Sequence, residues 1–297
     1  MINRWLRGCF DGGLGLATVC LACSALAQGL TVVPVVAGPG AMPVAAVMPD
    51  QLPHSVLARG GRDIAVAWLA APTARYAHGV LGDALEAGAL VVETRAGERL
   101  RFDLPPQRVF EDLALRLVDL DADGRDEIVL VESDLERGAS LAVFGVVDGR
   151  LQRRAASPFI GRAHRWLNPL GAGDFDGDGR LDLAAVVTPH LGGILRLYRY
   201  APPVLAAFAE TRDVSTHAIG STALAMGQVV DGEGRAWVLL PDQAHRRLRL
   251  LAWEGVWRER AAVDLPGRLV GALVAQGRDR WRGQTEGGEA FELRLAR

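Results

Sequence analysis

The sequence contains no lysine: all 33 basic residues are arginine, set against 35 acidic ones. That one-sided choice reads as the coding bias of a GC-rich bacterial genome. The formal charge of −2 gives no basic footprint, so nucleic acid is not expected as a partner. Cysteine is nearly as scarce. The three present, Cys9, Cys20 and Cys23, all lie before residue 28.

Residues 1–27 read as a secretory signal peptide. Arg4 and Arg7 give a basic start, Leu14 to Leu26 is mostly apolar, and Ala25-Leu26-Ala27 fits a small-x-small cleavage site. The apolar run is too short to span a bilayer comfortably, so no membrane span is expected after cleavage. A mature chain from Gln28 has no thiol, which excludes disulfides, thiol catalysis and cysteine–metal sites. Cys23 follows Leu21-Ala22, but Cys20 stands where a lipobox wants an aliphatic residue. Lipid anchoring is therefore the lesser alternative to a free periplasmic or secreted protein.

Catalytic motifs are missing too. There is no GxSxG, no HExxH and no phosphate-cradling glycine loop ahead of a helix. No long amphipathic helix is visible. What remains is a series of short apolar runs punctuated by Gly, Pro and Asp. A Gly-Arg pair followed by a strand-like run recurs at Gly61, Gly124, Gly179, Gly234 and, weakly, Gly277. Between these anchors lie hairpin patterns: Ala89–Glu93 with Arg99–Phe102, Ser140–Phe144 with Leu151–Arg153, and Leu248–Ala252 with Val256–Arg258. Ile194–Tyr198 runs into a Pro202-Pro203 turn.

Four antiparallel strands per repeat predict an all-β fold, a β-propeller of about five four-stranded blades, over residues 28–297 as one domain. The last repeat shows three strands, and Thr31–Val36 is expected to supply the fourth. Pro34 confines that strand to an edge. An open β-solenoid or a β-sandwich is the alternative architecture.

Two repeats carry acidic loops ahead of their Gly-Arg runs. One holds Asp174, Asp176, Asp178 and Asp182, the other Asp119, Asp121, Asp123 and Glu127. Carboxylates at positions 1, 3, 5 and 9 of a tight loop converge on one hard cation, with Arg180 and Arg125 offering backbone carbonyls at position 7. Asp126 could compete with Glu127. An EF-hand does not fit, because position 12 falls on Ala185 or Leu130 inside apolar runs. The Val229–Gly234 loop keeps Asp231 and Glu233 but has Trp237 at position 9, and is expected to be empty.

Asp119-Leu120-Asp121-Ala122-Asp123-Gly124 and Asp174-Phe175-Asp176-Gly177-Asp178-Gly179 resemble the FG-GAP, or VCBS-type, repeats of integrin-alpha-like propellers. The resemblance implies Ca²⁺ in a loop joining the first two strands of a blade. It is specific in these two repeats and diffuse elsewhere. A fully ringed ion leaves few open positions, so its expected role is structural.

In such a blade the strand 2–3 and 4–1 connections emerge opposite the metal loops. Candidate ligand-face residues there are Arg162, His164, Arg165, Trp166 and Asn168, joined by His190 and His217. His54 and His78 fall in a poorly patterned first repeat, and Ala70–Gly88 reads as one long connection. The expected function is a monomeric, exported, calcium-binding scaffold for a protein, peptide or glycan. The alternative is a hydrolase or lyase using the His/Arg cluster on a sugar or polyanionic substrate, which requires His164, His190 and His217 to share a pocket.

Overall fold

The computed structural model describes residues 29–35 and 47–296. The signal-peptide and lipobox expectations lie outside the described residues. Twenty-one strands follow one another, and no helix occurs among the described residues. Strand β1 is Gly29–Val35. The next four are β2 (Ala58–Arg59), β3 (Ile64–Thr73), β4 (Glu86–Thr94) and β5 (Arg99–Asp103), an antiparallel meander. A short β6 (Arg108–Phe110) leads to a second meander of β7 (Arg116–Val118), β8 (Glu127–Asp134), β9 (Gly138–Val147) and β10 (Arg150–Ala156). The third is β11 (Leu167–Gly173), β12 (Asp182–Val187), β13 (Ile194–Ala201) and β14 (Val204–Arg212). The fourth is β15 (Gln228–Asp231), β16 (Ala236–Pro241), β17 (Arg247–Trp253) and β18 (Trp257–Asp264). The chain ends in β19 (Leu269–Ala275), β20 (Arg280–Thr285) and β21 (Ala290–Ala296), and β1 completes their sheet by pairing with β21.

Every Gly-Arg anchor falls between the first and second strands of its meander, so the sequence repeats and the structural repeats share one register. The closing strand spans Gly29–Val35, two residues earlier in its start than Thr31. It is the outer strand of its sheet, where Pro34 is tolerated.

Burial explains why the meanders stack. In β12, Leu183, Ala185 and Val187 join one apolar cluster with Ile128, Leu130 and Phe144, while Ala184 and Val186 join another with Val238 and Leu251. In β16, Val238 and Leu240 face the third meander, and Trp237 and Leu239 pack with Trp281, Phe291 and Leu293 of the last sheet. Alternate residues of a strand point to opposite faces. The middle strands β12 and β16 are therefore apolar on both sides because their blades are sandwiched between neighbours, whereas β20 of the last sheet buries Trp281, Gly283 and Thr285 and turns Arg280, Arg282 and Gln284 outward. This is the build of a β-propeller.

The structure corrects one boundary and adds a strand. The long connection of the first blade is residues 74–85, since β3 runs to Thr73 and β4 starts at Glu86. Arg108–Phe110 forms a short strand outside the four-stranded pattern: Val109 and Phe110 are fully buried, and β6 bridges β4 to β8.

Deleting residues 28–35 strips β21 of its partner and uncovers the edge beside Leu293 and Leu295. The melting temperature should fall by roughly 5 °C or more. Light scattering should show oligomers joined through the bare edge. A variant that melts like the full chain would show β1 to be dispensable.

Candidate functional site

The two acidic loops occupy matching places, between β7 and β8 and between β11 and β12. Their shape comes from carboxylates bonding the loop's own amides. Asp174 accepts from the amides of Gly177 (2.7 Å), Asp178 (3.1 Å) and Gly179 (2.9 Å). Asp178 accepts from the Arg180 amide at 2.9 Å. In the other loop, Asp119 accepts from Asp123 and Gly124 (both 3.0 Å), and Asp123 from Arg125 at 2.8 Å. Oxygens of Asp174, Asp176 and Asp178 lie within 4.8 Å of one another, as do those of Asp119, Asp121 and Glu127.

The ninth-position acids are the first residue of the second strand in both blades; Glu127 joins its three-acid group, whereas Asp182 and Asp123 lie outside theirs. Asp182 is 1% exposed, and its Oδ2 is buried without a hydrogen-bond partner. Burial, above all, pushes its carboxyl up to about 7, against the pull of Arg199. Glu127 is buried likewise, accepts the Leu120 amide at 2.8 Å and is pushed up to about 7. Asp126 does not compete with Glu127: it turns to the first blade, where Arg62 Nη1 lies 2.9 Å away. Asp63 serves the same joint by accepting the Asp126 amide at 2.7 Å. An all-oxygen donor set with an unsatisfied buried oxygen suits a hard cation such as Ca²⁺, which would cancel the repulsion among these carboxylates and tie two strands together. In the fourth blade the loop interior is filled instead. A Cβ on Gly232 would lie 2.3 Å from the Trp237 ring, and Asp231 pairs with Arg278 at 3.4 Å.

On the opposite face, connections of the first three blades and the 213–227 segment enclose a cavity of about 340 Å³. His78, His164, Arg165, Trp166, Thr188, His190, Leu191 and Ile219 line it. Two close backbone approaches hold its walls. A Cβ on Gly138 would lie 2.2 Å from the Arg162 carbonyl, and one on Gly193 would lie 1.9 Å from that of Val214. His164 is exposed, at a φ of 55°, and its amide donates to the Tyr76 hydroxyl at 2.7 Å. The His78 and His164 rings stack with centroids 5.1 Å apart. Arg162 is exposed and does not line the cavity.

His190 and His217 form a defined pair. His217 Nε2 lies 2.8 Å from the Ser221 carbonyl, which only accepts, so Nε2 carries the proton. Its Nδ1 then accepts from His190 Nε2 at 2.9 Å, which leaves His190 Nδ1 with a free lone pair. Both rings are neutral at pH 7, each pushed down to about 4 chiefly by burial. His164 and His190 thus share one cavity, with His217 bonded behind them.

Two sequence candidates turn out to be built into the fold. Trp166 is 2% exposed, donates its indole N–H to the Glu111 carbonyl at 2.9 Å and serves as the cavity floor. Asn168 is fully buried on β11, and its amide donates to Thr216 and Leu224 carbonyls, so it is not available to a ligand. Conversely, His78 was unassigned in the sequence but lines the cavity. Its Nδ1 lies 2.5 Å from Glu111 Oε1, and Ser133 donates to the other Glu111 oxygen. Burial pushes the Glu111 carboxyl up while His78 and Ser133 pull it back. Beside it Glu86, 1% exposed with both oxygens unpartnered, is pushed up to about 10 by burial and by Glu111. The signal for His78 was positional: residues 74–85 correspond to the connection that holds His190.

Residues 119–185 match the family model described as an FG-GAP-like repeat, a span that takes in both acidic loops. No curated protein matches the chain. Among solved structures, BamB from Moraxella catarrhalis is similar at 14% identity and a TM-score of 0.39, over 70% of this chain and 56% of that one. The BBS1N domain, in complex with ARL6DN, is similar at 13% identity and a TM-score of 0.40, over 71% of this chain and 58% of that one. The chain therefore spans under two thirds of the length of either.

The histidine pair predicts acid sensitivity. Its folded-state pKa values lie below the ordinary value of 6.5, so its stabilising contribution is complete above that pH and lost as pH falls toward 4. Unfolding free energies from urea titrations at pH 7.0 and 4.5 should differ by on the order of 3 kcal/mol from this pair, allowing for the partly exposed His190. His217→Gln should flatten that difference. Residues 119–185 thus carry an FG-GAP-like repeat, set within a chain of four-stranded meanders of β-propeller build.

Proposed function

We propose that this protein is an exported, calcium-stabilised propeller of five blades that works as a binding scaffold. Its ligand is a protein, peptide or glycan group seated in the cavity between His164, His190 and Ile219. The observation that carries this reading is the division of labour between the two faces. On one face the acids are turned inward on their own amides and arginines, which suits a structural ion. On the other, imidazole nitrogens with free valence surround an open cavity whose mouth is apolar, Leu191 being 61% and Ile219 72% exposed. Such a mixture of apolar wall and few polar groups is typical of ligand pockets.

A second reading, a hydrolase or lyase on a sugar or polyanion, draws on the shared cavity of His164 and His190 and on the His78–Glu111 pair. A carboxylate-held imidazole is a suitable general base. Turnover of chromogenic glycosides or uronate polymers, lost in His78→Gln and His190→Gln, would favour it over simple binding.

Two measurements test the scaffold reading. Chelation should lower the melting temperature by roughly 5 °C, the effect of a site occupied at a hundredfold its Kd; an unchanged value would remove the structural ion. A glycan array and a displayed peptide library should give hits with the wild-type chain. These hits should be lost with His164→Ala, Arg165→Ala and Ile219→Ala combined, Trp166 being kept because it is core. Hits that survive in the triple variant would place binding elsewhere.

A further inference from the structure

The Asp174 loop already holds a positive charge. Arg199 on β13 is the cross-strand partner of Asp182. Its guanidinium is ion-paired with Asp176, lies 3.6 Å from Asp178 Oδ2 and 3.5 Å from Asp182 Oδ1. Beneath it sits the Phe208 ring, 4.9 Å away. Phe208 is the extra residue of a β-bulge, because β13 pairs Leu197 with Ala209 and then Tyr198 with Ala207. A bulge re-aims its side chain.

The same bulge recurs in the outer strands of two other blades. In β10 the extra residue is Arg154, which reaches Asp121 at 3.7 Å and Glu127 at 3.8 Å. In β18 it is Arg260, which lies over the Trp237 ring at 5.8 Å. In all three blades the bulge places an arginine, or the ring that supports one, against the ninth position of the loop. Where that position is acidic the arginine is an ion-pair partner; where it is an indole the arginine faces a π-surface.

We propose that Arg199 is the resident counter-ion of the Asp174 loop, and that calcium enters this loop by exchange against its guanidinium. The proposal rests on the calcium reading above. Two further observations fit exchange. The guanidinium leaves the loop incompletely satisfied: Asp182 Oδ2 and Arg199 Nε are both buried without a hydrogen bond. The displaced group also has somewhere to go. Arg199 borders a cavity of about 510 Å³ between the two acidic loops, together with Tyr200, whose buried hydroxyl has no partner. A tethered arginine keeps the metal-free loop from repelling itself apart and weakens calcium by competition. That weakness suits a compartment where calcium is abundant.

The test is calorimetric titration of calcium into the full chain carrying Asp121→Asn, which leaves the Asp174 loop as the site read. Adding Arg199→Gln should tighten calcium binding about tenfold, the scale of one lost ion pair in a network. It should also lower the melting temperature without calcium and enlarge the rise on adding it. Arg199→Lys keeps the charge but not the planar fork, and should fall between the two. Phe208→Ala keeps the arginine but removes its support, and should also tighten binding, which covers the case of a poorly folded glutamine variant. Equal affinities in the parent, the glutamine and the Phe208 variants would overturn exchange and leave the calcium site standing. Absence of binding heat in all of them would overturn the calcium reading itself.

Discussion

A sheet whose central strands are apolar on both faces cannot stand by itself, and the whole architecture follows from that constraint. Strands β12 and β16 each send odd and even residues into different clusters, so the third and fourth blades are each core to the blade on either side. Neither the third nor the fourth blade could be removed without exposing apolar faces of both its neighbours, at about 25 cal/mol for each Å² uncovered. Stacking also sorts the connections. All first-to-second strand loops gather at one end, and all second-to-third and fourth-to-first connections gather at the other. The two candidate sites are thus segregated by topology before any side chain is considered.

The acidic loops show how a repeat protein can carry dense charge without coming apart. Their carboxylates are committed on the near side to loop amides and on the far side to arginines of neighbouring strands or blades. Arg62 spans from the first blade to Asp119 and Asp126 of the second, and the Ala236 amide donates to the Asp174 carbonyl from the fourth blade to the third. The loops are joints between blades as much as turns within them. The histidine cavity follows a different logic, since burial there removes charge and leaves neutral hydrogen-bonding nitrogens.

Local pattern made much of this legible. The Gly-Arg anchors marked the approach to each second strand, the hairpins were visible as alternation, and the Thr31–Val36 run announced the closing strand. The carboxylate spacing identified both loops. The sequence was silent where several blades meet. Trp166 and Asn168 share a segment with the exposed His164, and nothing in their order shows that they turn inward. His78 and Glu111 meet although 33 residues separate them. Bulges at Arg154, Phe208 and Arg260 shift register by a single residue, which hydrophobic periodicity does not resolve. Arg199, one of several arginines in a strand of alternating apolar residues, therefore carries no sequence mark as the partner of a loop.

The closing sheet has one mechanical consequence. Gly29 pairs with Ala296 and Val35 with Ala290, so both ends of the described ladder leave the molecule from the same corner. Antiparallel hydrogen bonds lie across the strands. Tension applied through the two ends would load these bonds one after another, as in peeling tape, never all together in shear. A fold of closely packed blades thus has a seam that opens under small force, and it sits where β1 meets β21.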